Sequence, residues 1–218
     1  MRRVSSKIKN NFYAAFINHC LGAIQAGYDK MRIDSKYKID WEEDNLTICL
    51  VETIKQTPFL GRDQISVNYQ TPIYNEAMAF GGANSLRAPR VDFKFSTFSG
   101  PTEVAYYAEA KNLSENDWRK ADGASVDASH YRARYIDTGI ENYLTERYPK
   151  GCLVAYIVNG NVATVVSGLN NLINRRNASP RIGLIQKDVT DHRDCCYISN
   201  NQISDVDFSL KHLMLQLA

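Results

Sequence analysis

Three residues stand out for the chemistry they could do together: Asp92, Glu109 and Lys111. Glu109 and Lys111 are two positions apart in a stretch that reads as a strand, so their side chains project from one face. Asp92 lies 17 positions earlier, in a segment where Val91, Phe93 and Phe95 alternate with Arg90, Asp92 and Lys94. A turn at Ser99-Gly100-Pro101 would fold the two segments into a hairpin and bring the three groups to one end of a sheet. Two converging carboxylates repel each other unless a cation sits between them. Hard oxygen ligands suit Mg²⁺, with Mn²⁺ able to substitute. A neighbouring lysine can orient an attacking water and offset negative charge that develops on a phosphate. The plainer alternative is an α/β domain with three solvated charges. Against it, tyrosines and alanines flank Glu109, and free charges on such a semi-buried strand are costly.

The elements that must position these groups can be read from periodicity. Tyr13, Phe16, Ile17, Cys20, Leu21 and Ile24 recur at helical spacing, with Ser5 or Ser6 as a cap, and give an N-terminal helical extension over residues 1–40. A second, unusually apolar helix is expected from about Asp44 to Gln56, with Glu52 inside its apolar run, where a carboxylate needs a partner, solvent or a metal. Residues 57–89 read as a loop-rich insertion with a strand near Ile65–Tyr69. The hairpin follows at Arg90–Phe98 and Glu103–Lys111. After a polar stretch, Tyr131, Tyr135, Ile136, Ile140, Tyr143, Leu144 and Tyr148 form one helical stripe. Cys152–Val158 is a wholly apolar run, as in a strand covered on both faces. Val162–Ile173 reads as a helix, Arg181–Lys187 and Cys195–Ser199 as short strands, and Leu210, Leu213, Met214 and Leu217 as a C-terminal helix over 201–218. The order predicts an α/β fold, a mixed central sheet flanked by helices, with the core spanning residues 41–200.

RVDFKF followed by YYAEAK resembles the signature of the PD-(D/E)xK nuclease superfamily, with Asp92 as the D and Glu109-Ala110-Lys111 as the ExK. The resemblance extends from about Asp44 to Lys187, because the order helix, hairpin, helix, buried strand is also the family's. It implies a restriction-endonuclease-like core and a Mg²⁺-dependent endonuclease that hydrolyses DNA to 5′-phosphate and 3′-hydroxyl ends, working in genome defence or restriction. It implies Asp92, Glu109 and the Ala110 carbonyl as metal ligands, Lys111 as the group that positions or activates water, and Glu52 as an auxiliary acid. Two features depart from the pattern: Val91 replaces the proline before Asp92, and the helix after the hairpin carries His130, Arg132 and Arg134 where a Gln is common.

Arg90, Lys94, Arg119, Lys120, His130, Arg132 and Arg134 gather in sequence around this site and are candidate DNA contacts, which would make binding salt-dependent. The alternative function is a non-cleaving nucleic-acid-binding or assembly subunit of the same fold, and a homodimer or a larger defence complex is a further expectation. Lys plus Arg total 26 against 24 Asp plus Glu, for a net charge of +2, which excludes a uniformly basic coat but not a local basic groove. Five cysteines without CxxC spacing argue against a disulfide framework or structural zinc. No apolar run is long enough to span a bilayer and the basic start lacks a secretory apolar core, so a cytoplasmic location without membrane partners is expected. His192, among Asp188, Asp191 and Asp194, reads as a solvated turn, His19 as a satisfied helix residue and His212 as a surface position.

Overall fold

The computed structural model describes residues 6–62, 64–74, 78, 80–82, 84–176, 182–203 and 206–218. Ser5 and Arg181 lie outside them. A seven-stranded mixed sheet forms the middle layer, in the spatial order β1-β2-β3-β6-β9-β8-β7. Its strands are β1 (Ser66–Pro72), β2 (Arg90–Ser99), β3 (Thr102–Ser114), β6 (Gly151–Asn159), β7 (Gln186–Lys187), β8 (Cys196–Ile203) and β9 (Val206–Gln216). β4 (Trp118–Arg119) and β5 (Ser125–Val126) make a separate small ribbon. β3, β6 and β9 run parallel, and the other pairings of the sheet are antiparallel.

Both faces of the sheet are covered, which explains its apolar central strands. On one face lie α1 (Ser6–Asp34), α2 (Glu43–Lys55) and the short α3 (Pro58–Arg62). Phe16, Leu21, Ile24, Leu46, Leu50 and Ile54 pack there on Phe93, Phe95, Val154 and Tyr156. α1 is thus part of the main core. On the other face lie α4 (Ala128–Arg134), a π-helical turn (Tyr135–Ile140), α5 (Glu141–Leu144) and α6 (Val162–Arg175). Ile136, Ile140, Val165 and Leu169 meet Leu153, Ala155 and Ile157 of β6.

The π turn has a reason in the sequence. Tyr135/Ile136, Gly139/Ile140 and Tyr143/Leu144 are buried in pairs that repeat every four residues. An α-helix, at 3.6 residues per turn, would swing such a stripe away from the sheet, and one wider turn keeps it in contact.

The C-terminal segment corrects the reading above: it is not a helix but β9, a strand between β6 and β8. Leu213, Leu215 and Leu217 face the α1–α2 layer, while Leu210 and Met214 face α4–α6. A strand buried on both faces has apolar residues at every position, and i, i+3, i+4, i+7 is a subset of that. The surface position expected for His212 is overturned with it. The imidazole is fully buried, between the Tyr135 hydroxyl (2.8 Å) and Ser199 Oγ (2.9 Å). Burial holds its pKa down to about 3.

The unfolded chain binds that proton near pH 6.5 and the folded one does not, so this histidine's contribution to stability is complete above pH 6.5 and lost as pH falls toward 3. At about 1.4 kcal/mol per pH unit, His212→Gln should flatten the loss between pH 6.5 and 4.5 by roughly 2–3 kcal/mol. Urea unfolding across that range measures it, and parallel wild-type and variant curves would contradict the assignment.

Candidate active site

The site is a fork in the sheet. β2 and β3 are paired from the Ser99↔Thr102 turn down to Phe93↔Ala108. Beyond that, β2 stays with β1 as far as Pro72↔Arg90, while β3 continues to Ser114 against β6 alone. The edge of β3 that faces the fork therefore has no neighbouring strand to satisfy its amides, and buried amides need partners. Carboxylates supply them. Asp92 Oδ2 accepts from the Ala110 N–H at 2.6 Å, and Glu43 Oε2 accepts from the Asn112 N–H at 3.1 Å. Gly151, at the start of β6, approaches the Tyr107 carbonyl so closely that a Cβ would collide with it.

Lys111 fills the centre of the fork. Its ammonium donates to Glu109 Oε1 at 2.7 Å, to the Ala110 carbonyl at 2.6 Å and to Glu43 Oε1 at 3.1 Å, with Asp92 Oδ2 at 3.9 Å. Glu109 and Lys111 are buried and Asp92 is 13% exposed at its side chain. Three carboxylates thus surround one ammonium. Burial, opposed by the Lys111 charge, pushes Asp92 above the ordinary carboxylate range. Burial and then the Asp92 charge push Glu109 up as well. Burial works against the Lys111 ammonium, but Glu109, Glu43 and Asp92 outweigh it and hold its pKa above the usual lysine range. Glu109 Oε2 is buried with no hydrogen-bond partner, an omission that costs about 1–3 kcal/mol or more for a charged group.

Asp92, Glu109, Ala110 and Lys111 thus come together, as their spacing predicts. Glu52 does not join them. It lies on the outer side of α2, 58% exposed at its side chain, and pairs with Lys55 at 2.7 Å. The helix brings Glu43 instead. Nine residues at 100° each put Glu52 on the opposite side of α2, some 13 Å further along its axis. Glu43 opens α2, where the helix dipole favours a carboxylate. The clue available in sequence was that helix start rather than the apolar run.

The seven candidate basic residues divide. Arg134 is half-exposed with Nη2 3.9 Å from Glu43 Oε1, and Lys120 is buried against Glu42, the residue before Glu43. Arg90 is exposed two residues from Asp92. Arg119 and His130 are exposed on β4 and α4. Arg132 donates to the Ser114 and Glu115 carbonyls at 3.1 Å, closing the end of β3, and Lys94 pairs with Glu103 at 2.7 Å, toward the hairpin turn and away from the fork. The 188–194 loop is held by ion pairs, Asp188 with Lys211 and Asp191 with Arg193, and its His192 is exposed, while His19 is half-buried against Phe59. All five cysteines are free thiols.

Among the described residues, no three His, Cys, Asp or Glu side chains are grouped so as to hold a metal ion, and no helix is long and apolar enough to cross a membrane. The donors that could meet a hard cation are two carboxylates and one carbonyl, from Asp92, Glu109 and Ala110. The unpartnered Glu109 Oε2 and the three carboxylates that share the Lys111 ammonium fit a divalent ion.

The crowding of carboxylates has a measurable sign. Because the folded-state pKa of Glu109 is raised, its favourable contribution is present at low pH and lost as pH rises past the ordinary carboxylate range. Glu109→Gln should therefore melt about 2–4 °C above wild type at pH 8 without divalent cations, the shift that about 1 kcal/mol produces in a chain of this size, with the gain vanishing near pH 4. Thermal unfolding followed by circular dichroism tests this, and a variant less stable than wild type at pH 8 would contradict it. Comparison with protein-family models, with curated proteins and with solved structures finds no match to this chain.

Proposed function

We propose that the chain is a Mg²⁺-dependent nuclease with a restriction-endonuclease-like core, hydrolysing phosphodiester bonds of DNA in genome defence or restriction. The observation that carries this reading is the meeting of Asp92, Glu109 and the Ala110 carbonyl around the Lys111 ammonium, in a fork with unbalanced negative charge. The resemblance of the two hairpin segments to the PD-(D/E)xK signature supports it and supplies the substrate class.

Asp92, Glu109 and the Ala110 carbonyl would hold the cation, and Mn²⁺ would serve in its place. When bound, the ion contributes Lewis-acid polarisation of a phosphate oxygen. The rest follows from the chain's own groups. Lys111 is held protonated by its three carboxylate neighbours, so it acts as a donor. It orients the attacking water and stabilises charge developing on the phosphate, rather than removing a proton. Glu43 accepts from both Lys111 and the Asn112 N–H and so fixes the ammonium against β3. Arg134 and Arg90, exposed at the edges of the fork, would meet flanking phosphates.

Nicking of supercoiled plasmid in Mg²⁺ tests the reading, with thermal shift as a readout independent of cleavage. Asp92→Asn and Lys111→Ala should each lose about 10²–10³-fold or more in rate. Glu43→Gln should lose about tenfold by loosening Lys111, and Glu52→Gln should cleave like wild type. Mg²⁺ or Mn²⁺ should raise the wild-type melting temperature and leave that of Asp92→Asn unchanged. A cation shift without cleavage in any protein would favour the non-cleaving binding subunit. Neither shift nor cleavage would remove the metal site and the nuclease together.

A further inference from the structure

A cavity of about 360 Å³ opens beside the fork, between the end of β1, the α5–β6 turn and β9. Its walls are Ile73, Tyr143, Tyr148 and Phe208, and Arg147, Lys150 and Glu146 stand at its rim. Ile73 and Phe208 are half-buried, Tyr143 and Tyr148 are buried, and the three charged residues are exposed. Apolar, mostly aromatic walls under a rim with two cations against one carboxylate match a planar aromatic ligand carrying negative charge outside the ring.

The cavity shares its framework with the site. The Tyr148 hydroxyl donates to the Arg90 carbonyl at 3.0 Å, two residues from Asp92. The Tyr143 hydroxyl donates to the Cys152 carbonyl at 2.9 Å and to the Tyr107 carbonyl, two residues before Glu109, at 3.3 Å. The two rings also meet edge to face, with centroids 5.7 Å apart. The Tyr148 hydroxyl stays a neutral donor to the Arg90 carbonyl, with burial and then the charge of Glu109 pushing its pKa up to about 12. A preformed aromatic wall tied to both arms of the fork can hold a base at little ordering cost.

We propose that this cavity receives one unstacked nucleobase of the strand whose phosphate lies in the fork, with Arg147 and Lys150 meeting that strand's neighbouring phosphates. The strand's path rests on the nuclease reading above. Base–aromatic stacking is sequence-tolerant, because every base has a π-face, so the cavity would fix register without selecting a sequence. It also favours single-stranded or locally opened DNA, from which a base is cheaply unstacked.

The test uses full-length Asp92→Asn, the slowed variant above, without divalent cations, and single-stranded oligonucleotides carrying 2-aminopurine at one position at a time. Anisotropy reports binding and 2-aminopurine fluorescence reports stacking. One position should be quenched several-fold more than its neighbours. Phe208→Ala in the same background should abolish that excess quenching, and Arg147→Glu with Lys150→Glu, both exposed and safe for folding, should weaken binding about tenfold or more. Binding with uniform quenching, or quenching indifferent to these changes, overturns the inference and leaves the nuclease reading intact. Position-specific quenching that depends on Phe208, in a protein whose wild type never cleaves, supports the cavity and removes the nuclease reading. A strand that does not bind overturns the inference, while the nuclease reading then stands or falls on plasmid nicking. Free 2-aminopurine nucleoside monophosphate quenched as tightly as the oligonucleotide would make this a free-nucleotide site and overturn the strand assignment.

Discussion

Everything at this site depends on where two strands part. β2 leaves β3 after the Phe93↔Ala108 pair, and the amides of Ala110 and Asn112 are then satisfied by the carboxylates of Asp92 and Glu43. A sheet edge that opens inside a fold would ordinarily be a cost. Here the opening puts acidic side chains, one backbone carbonyl and an ammonium into a small buried volume, held by the most regular part of the molecule. β3 is anchored by β6, β6 is covered on both faces, and α2 points its N-terminus at the fork. The rigidity of the site is the rigidity of the central sheet.

The second feature is electrostatic conflict. Glu43, Asp92 and Glu109 share Lys111, burial raises both strand carboxylates, and one Glu109 oxygen has no partner. A fold selected for stability alone would not keep this arrangement. Buried carboxylates that share one ammonium, one of them with an unpartnered oxygen, point to function when they survive in an otherwise well-packed core, since the surrounding structure must outweigh their cost. A divalent cation would balance the charge and meet the free oxygen.

Much of the architecture was legible because local signals agreed with burial. The alternation of Arg90–Phe98, the turn at Ser99-Gly100-Pro101, the apolar run at Cys152–Val158 and the stripe of Val162–Ile173 each appear as the element they suggest. Asp92, Glu109 and Lys111 were legible because strand alternation and hairpin pairing determine which side chains can meet. What escaped was set by tertiary context. Nothing local distinguishes β9, buried on both faces, from a buried helix, and the burial of His212 hangs on the same distinction. Glu52 looked costly within an apolar stretch, yet which side of α2 faces the sheet depends on how α1 and α2 pack, and that packing brings Glu43 to the fork.

The proposed cation site consists of Asp92, Glu109 and the Ala110 carbonyl, the groups around which the Lys111 ammonium sits in the structure. Crystals of the wild-type chain soaked in Mn²⁺, measured at a wavelength where manganese scatters anomalously, test it most directly. One anomalous peak is expected within coordination distance (about 2.1–2.3 Å) of all three groups, with the Lys111 ammonium displaced from Glu109. No peak in the fork, or a peak elsewhere while Lys111 keeps its carboxylates, would contradict it.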